Sequence, residues 1–136
     1  MKQETKLDSV IYLCLVGLAG WIVPGGGHLM VGKKDKAAII FAGVVLAFAI
    51  GIYIGSVGVI NPVVEFLWFI PQMMVSPAVK LLGMMTVKDG IESFGKPNEI
   101  GQIYTSMAGM LNLLCVVNAV YLANLKVLAK AKGEKA

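Results

Sequence analysis

From Ala37 to Ile60 the chain carries no charged side chain, and from Ile103 to Leu125 it carries none again. About 20 consecutive apolar residues suffice for a helix to cross the hydrocarbon core of a bilayer. Either run is too long and too apolar to be hidden inside a water-soluble domain of 136 residues. Composition agrees. The chain is 57% hydrophobic and 15% charged, against about 25% charge in ordinary soluble domains, and its mean hydropathy is +0.78. The expected class is therefore an all-α polytopic membrane protein in one domain, 1–136. All 12 basic residues are lysines and the net charge is +4. That excess is small and scattered, which argues against nucleic acid and fits topology signals and anionic lipid.

A first, shorter run covers Val10 to Val23, and Asp8 or Ser9 is placed to cap it. Spans are expected at about 9–25, 37–60 and 103–125. The small pair Ala19-Gly20 also fits a signal-peptide exit, but a second long apolar run follows closely and favours a membrane helix. The first two runs are joined by Pro24-Gly25-Gly26-Gly27-His28-Leu29-Met30-Val31-Gly32-Lys33. Pro24 ends or kinks a helix, and the glycines open backbone angles closed to other residues. The stretch reads as the bend of a membrane-embedded helical hairpin. Non-helical backbone at membrane depth survives only against protein or water, so the bend is expected to pack beneath another segment.

Within the second span Gly43, Ala47, Gly51 and Gly55 recur every fourth residue. Such a face lets another helix approach closely in lipid, and it is expected to be a helix–helix interface, within the chain or with another subunit. In the last span Thr105, Ala108, Gly109, Asn112, Ala119 and Ala123 form a second small or polar stripe. Asn112 and Asn118 are expected to hydrogen-bond across to other helices. Between these spans Pro71, Pro77 and Lys80 interrupt the apolar pattern. Region 63–86 is expected to lie at the interface as short helices, with Trp68 at headgroup level, or else to re-enter the membrane. Residues 87–102, with Lys88-Asp89-Gly90 and Gly95-Lys96-Pro97-Asn98, read as an exposed loop.

Lysine positions set an expected orientation. With the bend in the cytoplasm, Lys33, Lys34, Lys36, Lys126, Lys130, Lys132 and Lys135 are inside, against Lys2, Lys6, Lys80, Lys88 and Lys96 outside. Charges near span ends weigh most, so the amino terminus is expected outside and the carboxyl terminus in the cytoplasm, with the bacterial cytoplasmic membrane as the location.

Signals for chemistry are sparse. His28 is the only histidine. It is either a haem or chlorophyll ligand, or a proton relay, or a ring bonded to a backbone carbonyl that locks the bend. The stretch Gly27 to Lys34 nearly spells a phosphate-binding loop. However, Lys34 stands where Ser or Thr is required, and a membrane helix precedes it where a strand belongs. Glu65 sits beside Pro62 at the edge of an apolar run, placed for an ion path or for headgroup water. Cys14 and Cys115 lie in apolar runs and read as small packing residues. Met73-Met74 and Met84-Met85 lack the pattern of a copper site. No paired carboxylates, metal-ligand spacing or nucleophilic triad is present, and no cofactor is required.

The stretch Pro24-Gly25-Gly26-Gly27-His28, continued by Gly32-Lys33-Lys34, resembles the turn of a small two-helix membrane domain family, in which a Pro-Gly-x-Gly-His-x-Tyr-x-Gly-Lys/Arg pattern joins two short spans. Met30-Val31 departs from the aromatic turn of that family. Pro71-Gln72 and Ala108-Gly109-Met110-Leu111-Asn112-Leu113-Leu114 look like a related uncharacterised group of small bacterial membrane proteins with a third span. The resemblance implies architecture and no activity. The expected function is a structural or accessory subunit of a larger membrane complex, a bioenergetic one among the candidates, and not an enzyme. The alternatives are a homo-oligomeric channel or transporter lined by Asn112, Asn118 and Glu65, and a pigment- or haem-binding subunit using His28.

Overall fold

The computed structural model describes residues 4–133, and Lys2, Glu134 and Lys135 lie outside them. Among the described residues every regular element is helical. The order is α1 (Glu4–Ile22), α2 (Gly26–Met30), α3 (Lys34–Gly55), a 3-10 turn (Val57–Val59), α4 (Phe66–Gln72), α5 (Ala78–Lys88) and α6 (Gly95–Gly133). Two helices, α3 and α6, are long and apolar enough to cross a membrane. At 1.5 Å per residue α3 is about 33 Å long and α6 about 58 Å, against a hydrocarbon core of about 30 Å.

The long helix α6 is the axis on which the rest is laid, and both α1 and α3 run antiparallel to it. Along α3, Val44 shares a core with Ala108, Gly51 lies on Gly101 and Thr105, and Gly55 lies on Pro97 and Gly101. Along α1, Gly20 approaches Val116 and Gly17 approaches Val120, while Tyr12 and Leu13 join the cluster of Ala119 and Ala123. The two helices therefore occupy different lengths of the axis. The chain descends α1 to about the middle of α6, turns at Pro24, climbs back through α2, and descends again as α3.

A second hairpin approaches from the other end. Ser106 Oγ reaches Trp68 O, and the Pro71 carbonyl rests where a Cβ on Gly109 would stand. Past the tip, α5 returns, so that Gly83 packs on Phe69 and Pro62 and Thr86 reaches back to Val57 O. The hairpin of α4 and α5 thus climbs α6 to its middle, where it meets the end of α1: Ser76 Oγ–H donates to Ile22 O at 2.8 Å and Trp21 Nε1–H to Met73 O at 3.0 Å.

Several expectations are refined. Of the three expected spans, two helices, α3 and α6, are long and apolar enough to cross a membrane, while α1 stops beside the middle of α6, where Pro24 and Gly25 turn the chain. The α1 helix begins by Glu4, ahead of the expected caps Asp8 and Ser9. The second helix ends at Gly55, not Ile60, because Ser56 takes φ 64° and ψ 170°, outside any helix. Residues 95–102 are not exposed loop. They form the first turns of α6, with Gly101 and Gln102 buried, and Pro97 sits in the first turn, where its missing N–H costs nothing. Finally, the amino end of α1 and the carboxyl end of α6 lie at the same end of the axis, together with Lys33, Lys34 and Lys36, instead of at opposite ends.

The cores are small. Val16, Val31, Ala119 and Ala123 form one, and Val44, Val59, Ile60, Val75, Val79 and Ala108 the other. Large apolar side chains point outward instead: Leu46 is 61% exposed, Leu67 80% and Leu114 67%. In lipid no hydrophobic gain draws large side chains inward, and close packing of small residues holds helices together.

Candidate functional site

The junction where α1 meets the tip of the second hairpin is bounded by two prolines, Pro24 after α1 and Pro77 at the start of α5. A helical carbonyl normally accepts from the N–H four residues on. For Gly20 that residue is Pro24, which has no N–H, while Met73 caps the carboxyl end of α4, where the helix supplies no donor. Both orphaned carbonyls are taken by side chains. Asn112 Nδ2 donates to Gly20 O at 3.2 Å, and to Met74 O and Val75 O at 3.0 Å each. Trp21 takes Met73 O and Ser76 takes Ile22 O, as above. Asn112 is fully buried, and its Oδ1 meets no donor. Three residues before it, on the same side of α6, Gly109 leaves the room that the Pro71 carbonyl fills.

A second polar pair lies below the junction. Gln72 Nε2 donates to Val59 O at 3.1 Å and to Thr105 Oγ1 at 2.9 Å, and Thr105 Oγ1 donates to Gly101 O at 2.8 Å. Gln72 and Thr105 are fully buried. Both polar pairs therefore serve backbone carbonyls or each other.

The glycine bend is the third feature. Gly25, at φ 82°, caps the start of α2. A Cβ on Gly27 would stand 2.8 Å from Val16 O and 2.9 Å from Ala119 Cβ, so only glycine lets α2 lie on α1 and α6 together. The end of α2 is a Schellman motif: Lys33 N donates to His28 O, Gly32 N to Leu29 O, and Gly32 takes φ 80°. Lys126 Nζ then caps Val31 O. His28 is 2% exposed, and its Nε2 lies 3.1 Å from Asn118 Oδ1. The amide oxygen accepts, so Nε2 carries the proton. The ring is thus locked to the α6 side chain, where a backbone carbonyl was expected.

The expected interface stripe divides. Gly51 and Gly55 are buried on α6, Ala47 is half-buried, and Gly43 faces open space. Each step of four residues advances a helix by 400°, so the stripe drifts by about 40° per step and four positions cannot share one seam. In α6, by contrast, Thr105, Ala108, Gly109, Asn112, Ala119 and Ala123 are all buried within the chain. Glu65 is half-buried beside Asn61, which caps the N–H groups of Val63 and Val64. Cys14 and Cys115 are both free thiols. Among the described residues no three of His, Cys, Asp and Glu come together as a metal site.

Sequence reasoning passed over Trp21, Gln72, Ser76 and Lys126. Pro24 left the one local signal, since a proline after a helix names an unpaired carbonyl four residues earlier, here Gly20 O.

A family profile described as a family of unknown function, DUF6677, matches residues 15–132. The chain belongs to the DUF6677 family. No curated protein and no solved structure matches it. The matched range begins inside α1 and ends in the last turn of α6, so it holds both prolines, the glycine bend and Asn112.

Proposed function

We propose that this DUF6677 protein is a structural subunit of a larger integral-membrane assembly, with no reaction of its own. In this reading α3 and α6 cross the bilayer, and the α1–α2 and α4–α5 hairpins re-enter it from opposite sides to meet near its middle. The observation that carries the proposal is Lys80. It is exposed on α5 within one turn of the hairpin tip, flanked by exposed Leu81 and Met84, and no acidic side chain among the described residues pairs with it. A lysine at the centre of a membrane helix costs about 2.5–3.5 kcal/mol on insertion scales. A carboxylate or carbonyl on a partner helix offsets that cost.

Orientation follows from the same geometry. Lys6, Lys33, Lys34, Lys36, Lys126, Lys130 and Lys132 gather at one end of the axis, against Lys88 and Lys96 at the other. The positive-inside rule then puts both termini and the glycine bend in the cytoplasm of a bacterial cell. Of the three side chains named for a channel lining, Asn112 is buried and spent on three carbonyls, which favours the structural reading.

The test is the mass of the particle extracted in mild detergent from its native membrane, with identification of the chains that accompany it. A large particle of defined composition is expected, and Lys80→Leu should shed its companions while the chain stays folded. A small particle of this chain alone would overturn the proposal and make flux assays on the homo-oligomer the next step.

A further inference from the structure

An open groove of about 310 Å³ runs between α3 and α6, within the range of about 300–1,000 Å³ usual for small-ligand sites. Its walls are Ile39 and Ile40 on one side, and Leu111 and Leu114 on the other. At the lysine-rich end of the axis it is closed by His28, Lys36 and Asn118, and nearly all of its lining is apolar. From Asn118 to Leu111 is seven residues of helix, about 10 Å, which approaches the depth of one leaflet's hydrocarbon, about 15 Å.

We propose that this groove holds one acyl chain of an anionic glycerophospholipid, with the headgroup phosphate at Lys36. Three observations fix the occupant. The groove is apolar over nearly its whole lining and opens beside Lys36 at the lysine-rich end of the axis, which suits an acyl chain and not a soluble polar ligand. Lys33, Lys34 and Lys36 are exposed beside the mouth, with Asp35 the one acid among them, so the mouth is cationic and selects an anionic headgroup. The first N–H groups of α3 open at the same place and favour negative charge there. His28 and Asn118 are already paired to each other, so they form a fixed rim, and the charge that meets the headgroup falls to lysine. The bound chain would fill the gap between α3 and the bend and hold the bend on the axis.

The test uses the full chain, purified and stripped of lipid in detergent. It is then offered phosphatidylglycerol or phosphatidylcholine of identical acyl chains and read by native mass spectrometry and thermal unfolding. At least a fivefold excess of phosphatidylglycerol adducts is expected, with a higher unfolding temperature. Lys36→Glu should abolish that preference, and Leu114→Trp, which fills the groove, should remove adducts of both lipids. Lys130→Glu alters the same charge on the α6 tail, away from the groove, and should change nothing. Helical content confirms that Leu114→Trp is folded, and Ile39→Trp serves if it is not. Equal binding of the two lipids overturns the proposal. So does a preference that survives Lys36→Glu, falls equally with Lys130→Glu, or persists when the groove is filled.

Discussion

Asn112 shows how much one side chain can carry where water is absent. Its amide serves Gly20 O, Met74 O and Val75 O, so it joins one hairpin to the other. A buried carbonyl left without a donor costs about 1–3 kcal/mol, while single hydrogen bonds between membrane helices measure about 0.6 kcal/mol on average. One amide has two N–H groups for three acceptors, so Asn112→Leu is expected to lower stability by about 2 kcal/mol, read from the unfolding midpoint of the purified protein. A loss under about 0.5 kcal/mol would mean that the carbonyls find other donors. Glycines are graded just as sharply by surroundings. A Cβ on Gly51 would stand 2.7 Å from Thr105 Cγ2 and 2.8 Å from Gly101 O, whereas one on Gly43 would meet nothing within 4 Å. Gly51→Leu should therefore abolish the monodisperse folded protein, and Gly43→Leu should leave its stability within about 0.5 kcal/mol, as surface changes do. Equal tolerance at both positions in size-exclusion chromatography would contradict the packing of α3 on α6.

Among the elements, the broken helices matter more than the continuous ones. Each helix that ends at the junction leaves an unpaired carbonyl, and a side chain from a distant element answers it. The trade can be measured at Pro24. Pro24→Ala supplies the N–H that Gly20 O lacks, so the penalty of Asn112→Leu should shrink in that background, with a coupling of about 0.5–1 kcal/mol in a double-mutant cycle. Strict additivity in the cycle would show that Pro24 and Asn112 are not exchanging partners. Helix α2 follows a related logic on a smaller scale. At five residues it is too short to persist alone, and it is held by Lys126 at its end, by His28 on Asn118, and by Gly26 and Gly27, which bring it against α1.

At the scale of the whole molecule the arrangement predicts sidedness. With Cys14 and Cys115 replaced by Ser, single cysteines at Lys6, Lys34 and Lys130 should all react with a membrane-impermeant maleimide from one face of the membrane. A cysteine at Lys96 should react from the other. Lys6 and Lys130 on opposite faces would mean that α1 crosses completely. The sequence alone determined the all-helical class, the two long apolar helices, the break at Pro24 and the small-residue face of α6. Each rests on composition, on helical periodicity or on a local breaker, and these act over a few residues. Tertiary structure decided the rest: that α1 halts midway, that region 63–86 climbs the axis, that Gly43 parts from Gly51, and that the amides of α6 turn inward. Those outcomes depend on pairs such as His28 with Asn118 and Gly20 with Asn112, about ninety positions apart in the chain. A proline shows locally that a carbonyl is left without its donor, but only the packed fold brings a particular side chain within reach of it.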